Sequence, residues 1–502
     1  MGQTPMGDPG FVAPDVPSDA IVNTCIKCGF CLPVCPTYRL TLDERSSPRG
    51  RIGLIAGVLE GKLPLDDPTF TAQMSECLGC RSCEPACPSG VRYGALLEDA
   101  RAQIAKRPDN ALLAPLLQAV YEALFADGRI LRFAAYAAGL AQRLGIRRLL
   151  RASGALRALG LERLDALLPS PRGAPFVANG QTYHAVGTTS RGSVALFAGC
   201  VMGAMFGDID RSTVRVLAHS GWDVEVPEGQ ACCGALHLHA GLKDRAREMA
   251  RATIAAFERS GADHIAVNAA GCGAAMKEYG HLLESDPQWH DRAVNFASRV
   301  RDATELVDAT GLTDVAVDVH VDRRGRSGEA VSGRAKARPL HDHISARPLQ
   351  DHTTRVAYQD PCHLAQAQRV VDQPRRAIDA VPGYERVELE GADRCCGSAG
   401  VYNLTHPAMA DALADRMIAA AKAVGAERLI TANPGCQIQL AAASRRANGP
   451  SVEHIMEFLD DPATPPRLDE DDDAHVDAKG LAFAIGATVF VGILLFASRR
   501  KR

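Results

Sequence analysis

The sequence predicts a multidomain protein of mixed α and α/β class: a small helical, cysteine-rich domain, a helical linker, two tandem α/β units and a C-terminal transmembrane helix. Three observations support this prediction. Two cysteine runs of identical spacing lie in the first hundred residues, a strand-and-helix pattern ending in cysteines occurs twice, and an uncharged apolar stretch lies near the end. At 502 residues the chain is long enough for about three domains.

Composition narrows the class of protein further. Apolar residues make up 46% and charged residues 23%, as in ordinary globular proteins. A net charge of −3, without a basic patch, argues against a nucleic-acid partner. The 16 cysteines are unusual, and the N-terminus shows no secretory signal pattern. We therefore expect the cysteines to be reduced and to bind metal rather than to form disulfides.

The first two cysteine runs are "CIKCGFCLPVCP" and "CLGCRSCEPACP". Both follow the C-x2-C-x2-C-x3-C-P pattern of two-cluster ferredoxins, in which the fourth cysteine of each run binds the other cluster. Zinc also binds C-x2-C pairs, but it does not require the third and fourth cysteines or the repeat. The pattern predicts two [4Fe–4S] clusters, the first held by Cys25, Cys28, Cys31 and Cys87 and the second by Cys77, Cys80, Cys83 and Cys35.

The segments around these runs are predicted from periodicity and composition. Ile52, Ile55, Val58 and Leu59 recur at helical spacing, so an amphipathic helix joins the two runs. We predict a disordered N-terminus at 1–20, a helical two-cluster ferredoxin domain at 21–100 and a helical linker region rich in Ala, Leu and Arg at 101–180.

The other eight cysteines form two sets with matched spacing. Cys200 precedes Cys232 by 32 positions and Cys232 precedes Cys272 by 40, whereas the intervals in the second set are 33 and 41. Vicinal pairs occur in both sets, which indicates a duplicated unit. The complete sets are Cys200, Cys232, Cys233 and Cys272, and Cys362, Cys395, Cys396 and Cys436.

Strand patterns such as "SVALFAGC" and "RVAYQDPC" alternate with helical patterns, which predicts parallel βαβ units. The cysteines then follow the carboxyl ends of strands, where open α/β sheets bind ligands. We predict one unit at 190–312, a flexible polar insertion at 313–353 and a second unit at 354–462. The cysteines could hold metal or further iron–sulfur clusters; buried small hydrophobes and a redox-active dithiol remain the alternatives.

The motifs "CCGALHLHAG", "DPCHL", "CCGSAGVYN" and "NPGC" resemble the CCG cysteine-rich domains. Heterodisulfide reductase subunits, the iron–sulfur subunit of anaerobic glycerol-3-phosphate dehydrogenase and lactate-utilisation proteins share these domains. With "CGFCLPVCPTY", "SPRGRI" and "CRSCEPACPSGVRY", these motifs resemble the glycolate oxidase iron–sulfur subunits within that family, over about residues 21–440. One position departs from the heterodisulfide reductase pattern in each unit, where Ala269 and Asn433 replace the first cysteine of a closing C-x-x-C. This departure argues against disulfide cleavage.

No glycine-rich nucleotide motif is present, so we expect no flavin or NAD on this chain. Oxidation of a hydroxy acid requires a flavin, and the resemblance implies a flavin-binding dehydrogenase subunit that oxidises glycolate or a related 2-hydroxy acid. This chain would pass the electrons to quinone. The alternative is a heterodisulfide-reductase-like, lactate or glycerol-3-phosphate dehydrogenase subunit with its own redox catalysis at a CCG site.

Two groups of histidines are secondary candidates. His341, His343 and His352 could form a metal site, although the composition of the insertion favours a solvated segment. His237, His239 and His363 flank the predicted cluster cysteines, where we expect supporting or structural roles.

An acidic linker at 463–479 precedes an uncharged stretch, and we predict a transmembrane anchor at 480–498. The 18 residues at 480–497, at ~1.5 Å each, span ~27 Å, about the thickness of a bilayer. The basic "RRKR" should remain cytoplasmic, yet cluster assembly favours a cytoplasmic main domain. We expect the cell membrane as location, with the main domain on the cytoplasmic side.

Overall fold

The structure is a computed structural model. It describes residues 10–106, 128–168, 174–187, 190–308, 321–322 and 353–463.

The N-terminal domain is a set of short helices around a small apolar core. They are α1 (Asp19–Asn23), α2 (Pro36–Thr41), α3 (Pro48–Leu59), α4 (Pro68–Glu76) and α5 (Tyr93–Ala105). The side chains of Ser47 and Asp67 cap α3 and α4, each followed by a proline at the first helical position, which needs no N–H donor. The predicted amphipathic helix is α3, whose Ile52, Ile55 and Val58 are buried. This domain fits the predicted ferredoxin-like fold.

Part of the segment predicted to be disordered, 1–20, packs against α5. Gln103 of α5 accepts a hydrogen bond from the Val12 amide and donates one to the Val12 carbonyl. The Asp15 carboxylate is buried and forms ion pairs with Lys106 and Arg247. These polar contacts place part of residues 10–18 against the helical domain, residues 1–9 lie outside the described residues, and a disordered N-terminus at 1–20 stays a prediction.

Four helices of the linker region contact both α/β units. They are α6 (Gly128–Arg143), α7 (Ile146–Ala152), α8 (Ala155–Ala158) and α9 (Glu162–Leu167). Leu131 and Ala135 of α6 pack against Ala204 of the first unit. Arg163 of α9 forms an ion pair with Asp411 of the second unit at 2.7 Å.

The first α/β unit contains a six-stranded sheet in the order β5-β4-β2-β3-β1-β6. Its strands are β1 (Thr182–Tyr183), β2 (Ser193–Phe197), β3 (Asp223–Glu225), β4 (His264–Val267), β5 (Val300–Asp302) and β6 (Val321–Asp322). Strands β2 to β5 are parallel, whereas β1 pairs antiparallel with β3 and β6. The short β6 lies within the predicted flexible insertion 313–353.

The helices of this unit connect and cover the parallel strands. They are α10 (Val201–Met205), α11 (Gly207–His219), α12 (Ala235–His239), α13 (Lys243–Glu258), α14 (Ala270–Lys277), α15 (Tyr279–Leu282), α16 (His290–Arg299) and α17 (Ala303–Leu306).

The second unit repeats the parallel part of the first. Its strands β7 (Thr354–Gln359), β8 (Tyr384–Val387), β9 (Arg428–Thr431) and β10 (Ser451–His454) follow the order β10-β9-β7-β8, all parallel. This order matches β5-β4-β2-β3, so the duplication fits the sequence prediction. A π-helical turn at His363–Gln368 precedes helices α18 (Asp372–Asp379), α19 (Tyr402–Thr405), α20 (Pro407–Ala423), α21 (Pro434–Ala447) and α22 (Ile455–Asp460).

The predicted fold class requires one correction, the C-terminal transmembrane helix. Across the part of the chain that the structure describes, no helix is both long and apolar enough to cross a membrane. The stretch 480–498 lies outside those residues, and the last described helix is α22. The fold that the structure supports consists of the ferredoxin-like domain, the linker helices and the two α/β units.

Candidate iron–sulfur sites

The first cysteine set lines an open cavity at the surface of the N-terminal domain. The cavity encloses about 410 Å³ of empty space when the solvent at its mouth is counted. Cys28 is exposed, and its neighbours Ile26 and Phe30 are 68% and 64% exposed. This site therefore faces solvent. Its walls include Cys83 and the four residues predicted to hold the first cluster, Cys25, Cys28, Cys31 and Cys87.

Both cysteine runs fold into the same loop. In each run the residues on either side of the second cysteine have positive φ angles: 57° at Lys27, 89° at Gly29, 62° at Gly79 and 62° at Arg81. Glycine adopts this conformation without steric strain. Alternation of right- and left-handed backbone turns successive N–H groups towards one concave side, which favours anionic groups such as iron–sulfur clusters.

The second cysteine set, Cys35, Cys77, Cys80 and Cys83, is buried. Burial raises the pKa of Cys83 well above its usual value, and the other three thiols of the set raise it further. The four predicted ligands of the second cluster therefore lie together. Uncharged donors lie near three of their sulfurs: Thr37 Oγ1 at 3.3 Å from Cys35 Sγ, Ser82 Oγ at 3.5 Å from Cys80 Sγ and Tyr93 Oη at 3.6 Å from Cys77 Sγ.

A buried cation lies beside this second set. Arg51 donates to the carbonyls of Gln73 and Ser46, both at 2.7 Å, and its Nη2 lies 3.5 Å from Glu76. Burial by itself lowers the pKa of Arg51, but neighbouring acidic groups, Cys77 first among them, raise it overall. Nη2 is buried without a hydrogen-bond partner among the described residues. A charged N–H donor in this position fits an anionic cluster held by these cysteines.

The first α/β unit brings its four cysteines to one edge of the sheet. Cys200 follows β2, Cys232 and Cys233 precede α12, and Cys272 lies in the first turn of α14. The Cys200 thiol donates to Cys232 Sγ at 3.4 Å. Cys233 forms hydrogen bonds with both Cys232 and Cys272. The quartet predicted from the sequence is therefore contiguous.

The second unit repeats this arrangement. Cys362 begins the π-helical turn after β7, the vicinal pair Cys395 and Cys396 follows β8, and Cys436 lies in the first turn of α21. The Cys396 thiol donates to Cys436 Sγ at 3.0 Å. Cys362 forms a hydrogen bond with Cys395. Both quartets thus come from the same four positions of the fold.

The first cysteine of each vicinal pair is the thiol most readily ionised. Hydrogen bonds from Cys200 and Cys233 hold the pKa of Cys232 well below its usual value. Hydrogen bonds from Cys362 and Cys396 lower the pKa of Cys395 in the same way. A thiolate is the form that binds metal. All four cysteines of each α/β unit are free thiols. The two cysteines of a vicinal pair are therefore not joined by a disulfide.

The predicted donor sets consist of cysteine sulfurs alone. In the described ranges, no group of three or more His, Cys, Asp or Glu side chains is arranged to hold a metal ion. All-sulfur donor sets are typical of iron–sulfur chemistry. The ligand roles of the 16 cysteines stay predictions.

Asn433, one of the two departures from the C-x-x-C pattern, joins the two units. Its side chain accepts a hydrogen bond from the Gly271 amide at 3.3 Å and donates to Cys436 Sγ at 3.5 Å. Gly271 directly precedes Cys272. The side-chain amide of Asn433 therefore connects the cysteine edges of the two units. The equivalent Ala269 is buried and can form no such side-chain bond.

The predicted histidines have different surroundings. His237 is buried and forms a hydrogen bond with Cys232. The rings of His239 and His363 lie 5.3 Å apart, and burial lowers the pKa of His239 to about 3. These positions fit supporting roles. The candidate site formed by His341, His343 and His352 lies outside the described residues.

The second ferredoxin site adjoins the second α/β unit. Burial raises the pKa of Cys80, and the charge of nearby Cys395 is the next largest cause. Leu78 and Tyr402 belong to the same apolar cluster as Cys80, Cys362 and Cys395. The sequence reasoning missed this contact and also missed Arg51. The available signal for Arg51 was an arginine in "SPRGRI" directly before the buried Ile52.

Comparison with known proteins agrees with this architecture. The family model of the 4Fe-4S dicluster domain matches residues 24–91, and that of the cysteine-rich domain matches 194–277 and 356–441. A probable glycolate oxidase iron–sulfur subunit of Bacillus subtilis is 37% identical over 83% of this chain and 87% of its own length. The glycolate oxidase iron–sulfur subunit of Escherichia coli is 31% identical over 88% and 94%. Lactate utilization protein A of Geobacillus kaustophilus is 28% identical over 53% and 98%.

Proposed function

The chain belongs to the family of glycolate oxidase iron–sulfur subunits, and from this premise we propose that it carries electrons from a flavoprotein subunit that oxidises glycolate to a quinone. It is the electron-transfer subunit of an oxidoreductase. Membership of this family implies a flavoprotein partner. Glycolate is proposed as the substrate of that partner because the relatives are glycolate oxidase iron–sulfur subunits.

The observation that supports the proposal is the continuity of the cysteine sets. Cys83 of the second set lines the cavity of the first set. Cys80, also of the second set, lies beside Cys395 of the second α/β unit. Each [4Fe–4S] cluster, when bound, accepts and releases one electron at a time. The protein holds these sites in a row, from a solvent-facing one to buried ones.

The solvent-facing site is where we propose that the flavoprotein binds. Cys28 is exposed there, and the large apolar side chains of Ile26 and Phe30 project from the same loop. Exposed apolar groups at a functional surface are typical of protein interfaces. The buried second set has no comparable access to a large partner.

The main test is reduction by glycolate of the chain purified with its partner. We expect a flavoprotein to copurify and glycolate to generate the EPR signals of reduced [4Fe–4S] clusters. In Cys80→Ser, the signal of the second cluster should be lost or altered. The conservative variant Ser82→Ala, which removes one donor near Cys80 and keeps every thiol, should retain reduction by glycolate. A chain that purifies without a flavoprotein would contradict the proposal.

We further propose that the described domains face the cytoplasm, where thiols stay reduced for cluster assembly. Proteolysis of intact cells tests this location. Digestion of the main domain by an external protease would refute it.

A further inference from the structure

A pocket lies between the ferredoxin-like domain and the second α/β unit. It encloses about 750 Å³ of empty space when the solvent at its open mouth is counted. Val34 and Pro36 line one wall, and both flank Cys35 of the second cysteine set. Leu413 and Met417 of α20 line the other, with Cys395 at the same pocket. A ligand in this pocket would contact the surroundings of two predicted redox sites.

The polar lining of the pocket is dominated by three arginines, Arg39, Arg394 and Arg416. All three are exposed, and among the described residues their side chains form no hydrogen bond or ion pair. Most other arginines of these two domains pair with a carboxylate or a carbonyl, as Arg375 does with Asp360 at 2.7 Å. Three unpaired guanidinium groups at one pocket favour a ligand that accepts hydrogen bonds or carries negative charge.

The apolar part of the lining restricts the class of ligand further. Val34, Leu413 and Met417 offer a surface for an aromatic or aliphatic ring, and Leu413 and Met417 are buried. A simple inorganic anion would use the arginines alone. An acidic protein segment would bind the charged rim without requiring the apolar wall. A ring that carries oxygen acceptors uses both features.

We propose that this pocket binds the ring of the quinone that accepts the electrons. The proposal rests on the proposed function, in which electrons arrive one at a time from the oxidation of glycolate on the partner. The quinone takes up two electrons through the adjoining cysteine sites and two protons from water at the open mouth, and it leaves as the quinol. The guanidinium groups donate hydrogen bonds to the quinone oxygens and stabilise the negative charge that develops before protonation.

Arginine does not release a proton at physiological pH, so its contribution is binding and charge stabilisation rather than proton transfer. Glu390 is the one carboxylate that lines the pocket. Its negative charge opposes the charge that develops on the quinone. Removal of the charge of Glu390 should therefore favour reduction of the quinone, whereas removal of an arginine should slow it.

The experiment uses the complex with its flavoprotein, glycolate as donor, and menadione or a decyl-benzoquinone as the quinone. For Arg394→Gln and Arg416→Gln we expect kcat/KM for the quinone to fall about ten-fold each, the size of one charged hydrogen bond. Glu390→Gln should raise it. Reduction of ferricyanide by glycolate should be unchanged in all three, because it reports on electron supply.

Arg148→Gln is the matched control, since Arg148 is an exposed arginine of α7 that does not line the pocket. Equal quinone kinetics in the pocket variants and this control would overturn the inference. Loss of copurifying flavoprotein in the Arg394→Gln, Arg416→Gln double variant would also overturn it, because the partner then occupies the pocket. Failure of glycolate to reduce the wild-type clusters would refute the proposed function instead.

Discussion

Arg51 shows how one side chain influences the second ferredoxin site. Its guanidinium is 1% exposed and lies among Cys35, Cys77 and Tyr93. A fixed positive charge stabilises the reduced, more negative cluster. Two unit charges ~8 Å apart interact by about 2 kcal/mol at an effective dielectric constant of about 20, which corresponds to ~90 mV for one electron. We expect Arg51→Met to lower the potential of the second cluster by about this amount in an EPR redox titration.

The matched control for this prediction is Arg45→Met. Arg45 belongs to the same segment, but its side chain is 62% exposed and pairs only with Asp43. Water screens its charge, so the potentials should remain unchanged. Equal shifts of the cluster potential in both variants would show that the buried position of Arg51 does not determine the effect.

Asn433 is the second residue with a defined local role. Asn433→Ala removes the hydrogen bond to Cys436 Sγ and the acceptor of the Gly271 amide. We expect the free energy of unfolding to fall by about 1–2 kcal/mol, measured by anaerobic urea denaturation. Asn295→Ala, an exposed position of α16, is the control and should leave the free energy unchanged. An unchanged midpoint in Asn433→Ala would contradict the bridging role.

At the residue scale, the sequence predicts the grouping of the cysteines because each thiol is tied to a local spacing or a strand end. It does not predict Arg51, Asn433 or the arginines of the pocket. Their roles depend on neighbours far away in the chain, such as Gln73 for Arg51 and Gly271 for Asn433. The motif "SPRGRI" contains Arg51, but it does not show which distant groups surround this side chain.

At the scale of elements, the long periodic segments are the most predictable. The parallel strands β2, β4, β7 and β9 each contain a short apolar run, and a cysteine follows the end of each strand by three or five residues. The two-residue strands β1 and β6 are too short to produce a pattern. The contact of residues 10–18 with α13 also has no pattern in the sequence, because it depends on a buried ion pair rather than on apolar periodicity.

Helix α5 carries a partly buried carboxyl, Glu98, towards the first α/β unit. Burial and the nearby charge of Glu278 raise the pKa of Glu98 from 4.5 to about 7. The folded state therefore binds more protons than the unfolded state between these values, and this contribution to stability is lost as the pH rises from about 4.5 to about 7. We compare the free energy of unfolding of Glu98→Gln with that of the wild type. We expect this difference to favour the variant by roughly 2 kcal/mol more at pH 8 than at pH 5, after allowance for partial exposure.

Urea denaturation of both proteins at pH 5 and pH 8 measures this difference. Lys243 and Arg81 also face Glu98 and favour its charged form, but they do not outweigh burial. The control is Glu385→Gln, an exposed carboxyl near the start of β8. A difference between Glu98→Gln and the wild type that does not vary with pH would contradict the raised pKa.

At the scale of the whole molecule, the contact between the ferredoxin-like domain and the second unit gives the cysteine sets an order. The sequence predicts both domains but not which unit adjoins which cluster, because that contact joins side chains such as Cys80 and Cys395 that are far apart in the chain. The order places the solvent-facing site at one end and the pocket beside Cys395 at the other. Electrons would then enter and leave at different surfaces.

Substitution of Phe30 tests this separation of surfaces. Phe30 is 64% exposed beside the first cysteine set, so Phe30→Glu should leave folding intact while it places a charge in the proposed flavoprotein interface. A hot-spot residue of an interface costs more than 1 kcal/mol of binding when it is removed, so if Phe30 is one we expect about ten-fold weaker binding of the flavoprotein and slower reduction by glycolate. Reduction by dithionite should be unchanged. Leu149→Glu, at a 65% exposed position of α7, is the control. If Phe30→Glu bound the flavoprotein as tightly as this control does, the partner would have to dock elsewhere.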